Sequence, residues 1–423
     1  MKILLIGSGG RENCLADKLV NSGDVELYAA PGNPGILNFA KFAEIDINNF
    51  IEVSTFCKNE RIDFVVIGPE QPLAMGIVDF LEERGILVFG PSKKASEIES
   101  SKSFAKNLMR TNNIPTANFS VFNKEDIDSA ISYIADLTYP IVIKADGLAA
   151  GKGVIIAGDF EEAKQTIEEI FYGAFAEAGN KIIIEEYLQG EEASIFVLTD
   201  GDDYIILPSS QDHKRIGEGD TGKNTGGMGA YSPAPIVNSN VLQKIELEII
   251  KPTLQAMKQS GRKFKGCLYA GLMIANDSPK VIEFNCRFGD PETQAVLQLI
   301  EGNFAQLLFS IAKGQIKKEE ITLIENKFAS CVVIASKGYP DKFNKGYEIF
   351  GIDNLQNDSI IYHSGTKKEG NKILTNGGRV LCVVSVADNL AESLDKNYRT
   401  IEKIDFEGKY FRKDIGKKGL LKL

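Results

Sequence analysis

Short apolar runs that end in glycine or proline turns recur through the first hundred residues. Residues 2–6, 25–29, 64–67 and 87–89 each have the length and apolar content of a buried strand, and residues 14–21 have a helical pattern. The pattern predicts an open parallel sheet. Ligands of such sheets bind at the carboxyl ends of the strands, which is where these turns lie.

The pattern changes after residue 101. Helices are predicted over 101–111 and 125–136, and strands over 141–144, 154–156 and 181–186. The small-residue segment between the first two of these strands contains Lys152, which suits a lid over nucleotide phosphates. A glycine-rich hairpin turn is the alternative. A Walker loop is excluded, because no Ser or Thr follows Lys152 and a strand follows instead of a helix.

A strand further along the chain leads directly into a run of polar residues. Residues 281–284 read as a buried strand, on which Glu283 and Asn285 share one face because they are two residues apart. Carboxylate and amide oxygens suit Mg²⁺. Arg287 falls on that face if the strand continues, and it suits two-pronged binding of a carboxylate or phosphate. The alternative is an edge strand with solvated polar residues.

The remainder of the chain predicts a helical stretch and a separate unit. Residues 296–314 have a helical pattern, whereas residues 329–335, 360–363 and 378–386 read as strands of an α+β unit. The turn loops at 336–340 and 375–379 could also cap a site. The polar run at 211–215 is expected to be exposed, and a glycine-rich loop follows it at 221–230.

Composition narrows the function classes. Lys+Arg 48 against Asp+Glu 58 gives a net charge of −10, which argues against a general binder of nucleic acid or acidic membranes. No apolar stretch has the length of a signal peptide or membrane span. The six scattered cysteines suggest reduced, buried thiols, and two histidines leave little for a zinc site or a Ser-His-Asp triad.

The first glycine loop is a candidate anion site. Gly7, Gly9 and Gly10 separate the first strand from the following helix, where free backbone N–H groups point outward. The dinucleotide fingerprint would need a glycine at Glu12, so the loop argues against nicotinamide binding.

Several long motifs in one order carry a resemblance. They are GSGGRE (residues 7–12), KADGLAAGKGV (144–154), QDHKR (211–215), NTGGMGAY (224–231), EFNCRFGDPE (283–292) and NGGRV (376–380). This series resembles the phosphoribosylamine–glycine ligase (glycinamide ribonucleotide synthetase) family of purine biosynthesis, within the ATP-grasp superfamily, over nearly the whole chain. The family usually has His at Asn13 and Pro at Lys223.

The resemblance implies a site for ATP, Mg²⁺ (or Mn²⁺), glycine and 5-phosphoribosylamine. Glu283 and Asn285 would hold the metal, and Arg287 and Asp212 would orient glycine. The implied ATP contacts are Lys102, Lys144, Lys152, Glu185, Glu186, Tyr187, Leu188, Glu192, Arg215 and Asn224. The implied phosphoribosylamine contacts are Gly9, Gly10, Arg11, Glu12, Gly32, Asn33, Gly68, Pro69, Glu70, Thr225, Gly226 and Gly227, with Asp212 and Arg287 also at the substrate site.

The resemblance also implies a multidomain α/β and α+β fold. A parallel-sheet pre-ATP-grasp domain (1–101), a two-lobed ATP-grasp domain (102–325, with a lid at about 115–190) and a C-terminal α+β domain (326–423) are expected. The chain should be a cytoplasmic, single-activity monomer that binds neither nucleic acid nor membrane. The alternatives are another carboxylate–amine ligase, against which the QDHKR and NCR contexts argue, and a non-catalytic nucleotide sensor, which would be expected to lack Glu283 or Lys152.

Overall fold

The computed structural model describes residues 1–148, 153–174, 179–352 and 359–423. The first hundred residues form the predicted open parallel sheet, with strand order β3-β2-β1-β4-β5. Its elements are β1 (Lys2–Gly7), α1 (Gly10–Val20), β2 (Glu26–Pro31), β3 (Lys41–Phe42), α2 (Phe50–Glu60), β4 (Phe64–Ile67), α3 (Glu70–Met75), α4 (Ile77–Glu82), β5 (Leu87–Phe89) and α5 (Lys93–Ser100).

Helix α1 begins at Gly10, earlier than the residue-14 start that the apolar pattern predicts. The reason is a local cap, because the Glu12 carboxylate accepts the Gly9 N–H at 2.7 Å. Gly10, Arg11 and Glu12 therefore lie in the first helical turn instead of in a loop.

A small antiparallel sheet, with order β6-β9-β7-β8, follows. Buried apolar residues of its strands pack against two helices, Ile127–Ala135 and Phe160–Glu169, in a core of their own. The elements of this segment are α6 (Lys102–Thr111), β6 (Phe119–Asn123), α7 (Ile127–Ala135), β7 (Ile141–Ala145), β8 (Val154–Ala157), α8 (Phe160–Glu169) and β9 (Lys181–Glu186).

A larger antiparallel sheet, with order β11-β10-β16-β17, carries the predicted metal strand at one edge. The elements are β10 (Glu191–Thr199), β11 (Tyr204–Ile206), β12 (Gln211–Asp212), β13 (Arg215–Gly217), β14 (Thr221–Asn224), β15 (Gly229–Ser232), α9 (Ser239–Lys244), α10 (Lys251–Gln259), β16 (Gly266–Ala275) and β17 (Ser278–Asn285).

The helical stretch predicted over residues 296–314 is wrong in its middle. The chain forms α11 (Glu292–Val296), β18 (Ile300–Gly302) and α12 (Phe304–Ala312), and β18 pairs with β19 (Ile321–Leu323). Gly302 has a φ of +101°, which ends the strand. The Asn303 side chain then caps the new helix by accepting the Gln306 N–H at 2.9 Å.

The C-terminal residues build the third major sheet, but not alone. Its order is β12-β15-β20-β24-β21, with β25 paired to β20, so two strands come from residues 211–232. The new elements are β20 (Phe328–Ser336), β21 (Ile360–His363), β22 (Thr366–Glu369), β23 (Lys372–Thr375), β24 (Arg379–Ala387), α13 (Leu390–Ile401), β25 (Lys409–Tyr410) and α14 (Lys417–Leu420).

The polar run 211–215 is not the exposed loop that its composition predicts. Gln211 and His213 are buried, because the run enters the C-terminal sheet and the last residues of the chain cover it. His213 Nε2 accepts the Gly416 N–H at 3.2 Å, and its Nδ1 lies 3.4 Å from the Gly229 carbonyl.

The cysteines agree with the prediction of buried thiols, since all six are buried and free. In the described part of the chain, no helix has both the length and the apolar character needed to cross a membrane.

Candidate active site

The metal strand β17 places its polar residues as predicted. Glu283 pairs with Gly271 and Asn285 with Tyr269 on the neighbouring strand, so both side chains leave the same face of the sheet. Both residues are half-buried. No group of three or more His, Cys, Asp or Glu residues able to hold a metal occurs among the described residues. Glu283 and Asn285, as a pair of oxygen donors, suit a metal that completes its coordination shell with water and phosphate oxygens.

Four cations, each from a different element or loop, act on Glu283. Burial would raise the pKa of its carboxyl group, but Lys214, Lys144, Lys102 and Arg287 outweigh burial and hold the pKa below its usual value. Glu283 is therefore ionised. The ammonium groups of Lys102, Lys144 and Lys214 are available nearby for phosphate oxygens, although Lys144 and Lys214 also pair with Glu185 and Glu192.

The two predicted phosphate lysines lie at the base of the segment that contains Lys152. Lys102 Nζ donates to the carbonyls of Ala145 (3.1 Å) and Gly147 (2.7 Å). Lys144 Nζ donates to the Ile282 carbonyl at 3.2 Å, which joins the small sheet to the metal strand. Lys152 itself lies outside the described residues.

Glu185 is the centre of a buried ion-pair network that the sequence did not reveal. Its Oε2 accepts from Lys144 at 3.0 Å and from Lys106 at 2.8 Å, and all three side chains are buried. Lys106 Nζ also donates to Thr116 Oγ1 at 2.8 Å. Burial lowers the pKa of Lys106 to about 8, although Glu185 opposes the shift. Lys106 is one helical turn after Lys102, and that spacing was the available signal.

Three of the four residues predicted to hold adenine, Glu186, Tyr187 and Leu188, line a cavity, whereas the fourth, Glu185, does not. This cavity, of about 280 Å³, lies between the end of β9 and the β16–β17 hairpin. Its lining includes Glu186, Tyr187, Leu188, Met273 and Lys280. The Glu186 carboxylate accepts the Asn118 N–H at 3.0 Å and pairs with Lys280 at 3.2 Å. The cavity wall is thus braced from both neighbouring segments.

Asp212 and Glu192 share a lysine. Lys214 Nζ lies 2.7 Å from Glu192 Oε2. Burial raises the pKa of Asp212, and Lys214 opposes this shift. Arg215 and Asn224 pair across the β13–β14 ribbon, where Asn224 is exposed. The structure therefore brings Asp212 and Glu192 together, and it places Arg215 and Asn224 on a ribbon beside them.

Every nitrogen of the Arg287 guanidinium has a partner. Nε lies 3.3 Å from Glu70 Oε2, Nη2 lies 3.0 Å from Glu99 Oε1, and Nη1 donates to the Phe288 carbonyl at 3.2 Å. Strand β17 ends at Asn285, so Arg287 is not on the strand. Glu99, which the sequence did not single out, also accepts the Cys286 N–H at 2.7 Å. N–H groups remain on both Nη atoms for a further anion.

The N-terminal turns converge on this end of the metal strand. Arg11 Nη1 donates to the Phe288 carbonyl at 2.9 Å, and its Nε lies 2.5 Å from Glu12 Oε1. Gly68, which precedes Pro69, must lack a side chain because a Cβ there would collide with the Glu12 carboxylate. Thus Arg11, Glu12 and Glu70 meet the segment after β17, as the strand-end rule predicts.

The second N-terminal turn is anchored to the C-terminal sheet. Gly32 has a φ of +67°. Asn33 Nδ2 donates to the carbonyls of Ser8 and His363, both at 2.8 Å. Asn13, where the resembling family usually has His, accepts the His363 N–H at 2.7 Å. The departure at Asn13 therefore serves a contact between the first helix and the C-terminal sheet.

The glycine loop after β14 is tied to the Asp212 segment. Thr225 donates both its N–H and its hydroxyl to the Lys214 carbonyl, each at 2.8 Å. Gly227 has a φ of +107° and donates its N–H to Thr225 Oγ1 at 2.9 Å. Gly226 contacts side chains of the C-terminal unit.

Comparison with known proteins agrees with this geometry. Family models for the N, ATP-grasp (A) and C domains of phosphoribosylglycinamide synthetase match residues 1–99, 100–293 and 329–418. A phosphoribosylamine–glycine ligase of Caldanaerobacter subterraneus is 44% identical over 98% of this chain and 99% of its own.

Solved structures agree in fold. The crystal structure of phosphoribosylamine–glycine ligase from Thermotoga maritima has a TM-score of 0.85 and 33% identity, covering 98% of this chain and 100% of its own. A biotin carboxylase from Campylobacter jejuni shares the fold alone, with a TM-score of 0.74 and 15% identity over 96% of this chain and 92% of its own.

The fold and the cation-lined metal strand define an ATP-grasp ligase with an N-terminal parallel sheet and a C-terminal mixed domain. Within that class, the chain belongs to the phosphoribosylglycinamide synthetase family.

Proposed function

We propose that this chain joins glycine to 5-phospho-D-ribosylamine in purine biosynthesis, with conversion of ATP to ADP and phosphate and with glycyl phosphate as the intermediate. The observation that carries the proposal is the position of Arg287. It lies beside the cation-surrounded Glu283 and contacts Glu70 of an N-terminal turn. A nucleotide phosphate bound at the metal strand and an acceptor bound at the N-terminal turns would therefore meet at one place.

ATP would bind between the small sheet and the large sheet. The adenine would occupy the cavity beside Tyr187 and Leu188, and the ribose would lie near Glu192. Lys102 and Lys144 would contact the phosphates, and Lys152 would approach them from its own segment. Glu283 and Asn285 would hold Mg²⁺ (or Mn²⁺), which when bound reduces the negative charge that the attacking carboxylate must approach.

Glycine would be oriented by its two charges. The Arg287 guanidinium would bind the carboxylate through its remaining N–H groups, and Asp212 would pair with the ammonium group. A carboxylate oxygen attacks the γ-phosphorus of ATP, the bond to the β-phosphate oxygen breaks, and ADP leaves. The amine of phosphoribosylamine then attacks the acyl carbon, phosphate is expelled, and the amine loses a proton.

The acceptor would be held by the N-terminal turns and by the glycine loop after β14. Gly9, Gly10, Arg11, Glu12, Gly32, Asn33, Gly68, Pro69, Glu70, Thr225, Gly226 and Gly227 form this proposed surface. The reaction would need no nucleic acid, membrane or second subunit, so we propose a cytoplasmic monomer. The proposed domain limits are 1–101 for the parallel-sheet domain, 102–325 for the ATP-grasp domain and 326–423 for the C-terminal domain.

Phosphate release from ATP tests the proposal, with glycine and phosphoribosylamine each omitted in turn. We expect release to require both, and the product to be phosphoribosylglycinamide by mass. Release with glycine alone at the full rate would exclude ligation. Full activity with another amine in place of phosphoribosylamine would assign the chain a different acceptor.

A further inference from the structure

The NGGRV turn before β24 is not used by the proposed site, although its packing is specific. A Cβ on Gly378 would collide with the ring of Tyr339, and a Cβ on Gly377 would lie 2.8 Å from the Cα of Gly365. Glycine at 378 lets the Tyr339 ring lie on the turn, and glycine at 377 lets the turn approach the backbone of Gly365. This close packing directs Tyr339 and Arg379 toward the glycine loop after β14.

Both polar groups of the Gly226 backbone are bound by the C-terminal unit. The Gly226 N–H donates to Tyr339 Oη at 2.8 Å. Arg379 Nη1 donates to the Gly226 carbonyl. A Cβ on Gly226 would lie only 3.0 Å from Arg379 Cζ, so the absence of a side chain permits the contact. Residues 225–227, which we call the acceptor loop, are therefore held at Gly226 by the C-terminal unit and at Thr225 by the Lys214 carbonyl.

Arg379 binds Asp290 with the same guanidinium. Nη1 donates to the Asp290 carbonyl at 2.7 Å, and Nη2 lies 3.0 Å from Asp290 Oδ2. Gln294 Nε2 donates to Asp290 Oδ1 at 2.7 Å. Burial opposes ionisation of Asp290, but Arg379, Arg11 and the hydrogen bond from Gln294 together outweigh burial and hold the pKa of its carboxyl group below its usual value. The carboxylate is thus charged, oriented and largely shielded from water.

The side chains of Asp290 and Gln294 lie close to the first glycine loop. A Cβ on Gly9 would lie 3.5 Å from Asp290 Oδ2, and a Cβ on Gly10 would lie 2.9 Å from Gln294 Nε2. These are the turns that the proposed function assigns to phosphoribosylamine. The cations that act most on Glu283 are instead Lys214, Lys144, Lys102 and Arg287. Arg379 therefore belongs to the acceptor end of the site.

We propose that Arg379, assisted by Tyr339, is a positioning residue that sets the acceptor loop and Asp290 for binding of phosphoribosylamine, and that it has little influence on ATP and glycine. This inference rests on the proposed function. On this inference the site has two parts. The cations near Glu283 control formation of glycyl phosphate, and the C-terminal unit controls the attack by phosphoribosylamine.

The test measures the KM of all three substrates in Arg379→Lys and Tyr339→Phe. The matched control is Lys223→Ala, which removes an exposed ion pair (2.8 Å to Asp341) between the same segment and the C-terminal unit. Loss of the guanidinium fork should raise the KM for phosphoribosylamine about tenfold or more, since the charge-assisted hydrogen bonds to Gly226 and Asp290 are lost. Tyr339→Phe should raise it less, and Lys223→Ala should leave all three values unchanged.

A second measurement distinguishes positioning from general damage. Scrambling of ¹⁸O in labelled ATP, with glycine and without phosphoribosylamine, reports reversible glycyl phosphate formation. We expect wild-type scrambling in both variants. Equal changes in all three KM values, unchanged phosphoribosylamine KM, or lost scrambling would overturn the inference. If Arg379→Lys does not fold, Tyr339→Phe decides alone. A wild-type chain that does not use phosphoribosylamine would instead remove the proposed function.

Discussion

The two ends of the nucleotide site treat their charges differently. At the adenine end, Glu185 is buried and pairs directly with Lys106 and Lys144. At the metal end, Glu283 is half-buried, and Lys214 and Arg287 are among the cations that act on it. Among the described residues, none lies close enough to Glu283 to form an ion pair. One carboxylate is used within the fold, and the other is left for a ligand.

The difference shows that the surroundings of a carboxylate decide whether it serves the fold or a ligand. A buried carboxylate with two ammonium partners organises its surroundings, and its removal leaves unpaired charge. A carboxylate held ionised at a distance by several cations has little internal role and keeps its oxygens for a metal. Mutation should therefore affect stability at the first end and turnover at the second.

The largest expected effect is on stability at the adenine end. Glu185→Gln would leave the ammonium groups of Lys106 and Lys144 buried without a charged partner. We expect a loss of about 3–5 kcal/mol in the free energy of unfolding, measured by denaturant titration.

Glu192→Gln is the matched control for that measurement. The Glu192–Lys214 pair has a similar length, 2.7 Å, but its side chains are 40% and 30% exposed. Its loss should cost about 1 kcal/mol or less. Equal costs for the two variants would contradict a structural role for Glu185.

The next effect is on turnover at the metal end. Glu283→Gln keeps the size of the side chain and removes the charge that suits a divalent metal. We expect turnover to fall by about 100-fold or more, since even residues that only support a metal ligand cost about 10–100-fold. The midpoint of thermal unfolding should stay close to that of wild type. A stable variant with normal phosphate release would refute the metal assignment.

A smaller effect is expected at Arg287. Arg287→Lys keeps the charge but loses the fork that contacts Glu70 and Glu99. We expect the KM for glycine to rise about tenfold, with turnover only partly restored by more glycine. Early melting with an unchanged glycine KM would make Arg287 a structural residue.

In that case, the search for the glycine carboxylate site would move to Lys214 and Arg215. Lys214→Gln would then be expected to raise the glycine KM in place of Arg287→Lys. The same glycine titration distinguishes the two positions.

The smallest expected effect is on the pH dependence of stability. It comes from the buried, neutral imidazole of His213, which is next to Asp212 in the sequence. Burial and Arg412 lower the pKa of His213 to about 4 from an ordinary 6.5. Its contribution to stability is therefore complete above pH 6.5 and is lost as the pH falls from 6.5 toward 4. Between pH 7.5 and 5.5, wild type should lose about 1 kcal/mol more unfolding free energy than His213→Gln. Parallel pH profiles in denaturant titrations would contradict a buried neutral histidine.

Local patterns predicted most of the fold. The apolar runs of the first hundred residues identified the parallel sheet, because each strand is buried and ends in a turn. The helix over 296–314 failed, because Gly302 and the Asn303 cap act within one turn and barely change the periodicity. The prediction that the run 211–215 is exposed was wrong for another reason, since the burial of His213 depends on residues about two hundred positions later in the chain.

The site was predicted in composition more than in contacts. Spacing alone placed Glu283 and Asn285 on one face. Spacing places Lys106 on the same helix face as Lys102, but it does not identify Glu185 as its partner. Nothing in the sequence identifies Glu99 as a partner of Arg287, because the orientation of both helices depends on tertiary packing. Sequence spacing locates groups along an element, whereas pairing between elements requires the assembled fold.

The shared C-terminal sheet has a consequence for dividing the gene. A fragment that stops at residue 325 would still contain β12 and β15 but not β20, on which β15 forms its ladder. In this fragment the edge of β15 would have unpaired backbone N–H and C=O groups, which are a known template for aggregation. Two separately expressed fragments split there should instead recover one another through that ladder. A fluorescent tag or a second enzyme is therefore better attached outside this sheet than at residue 325.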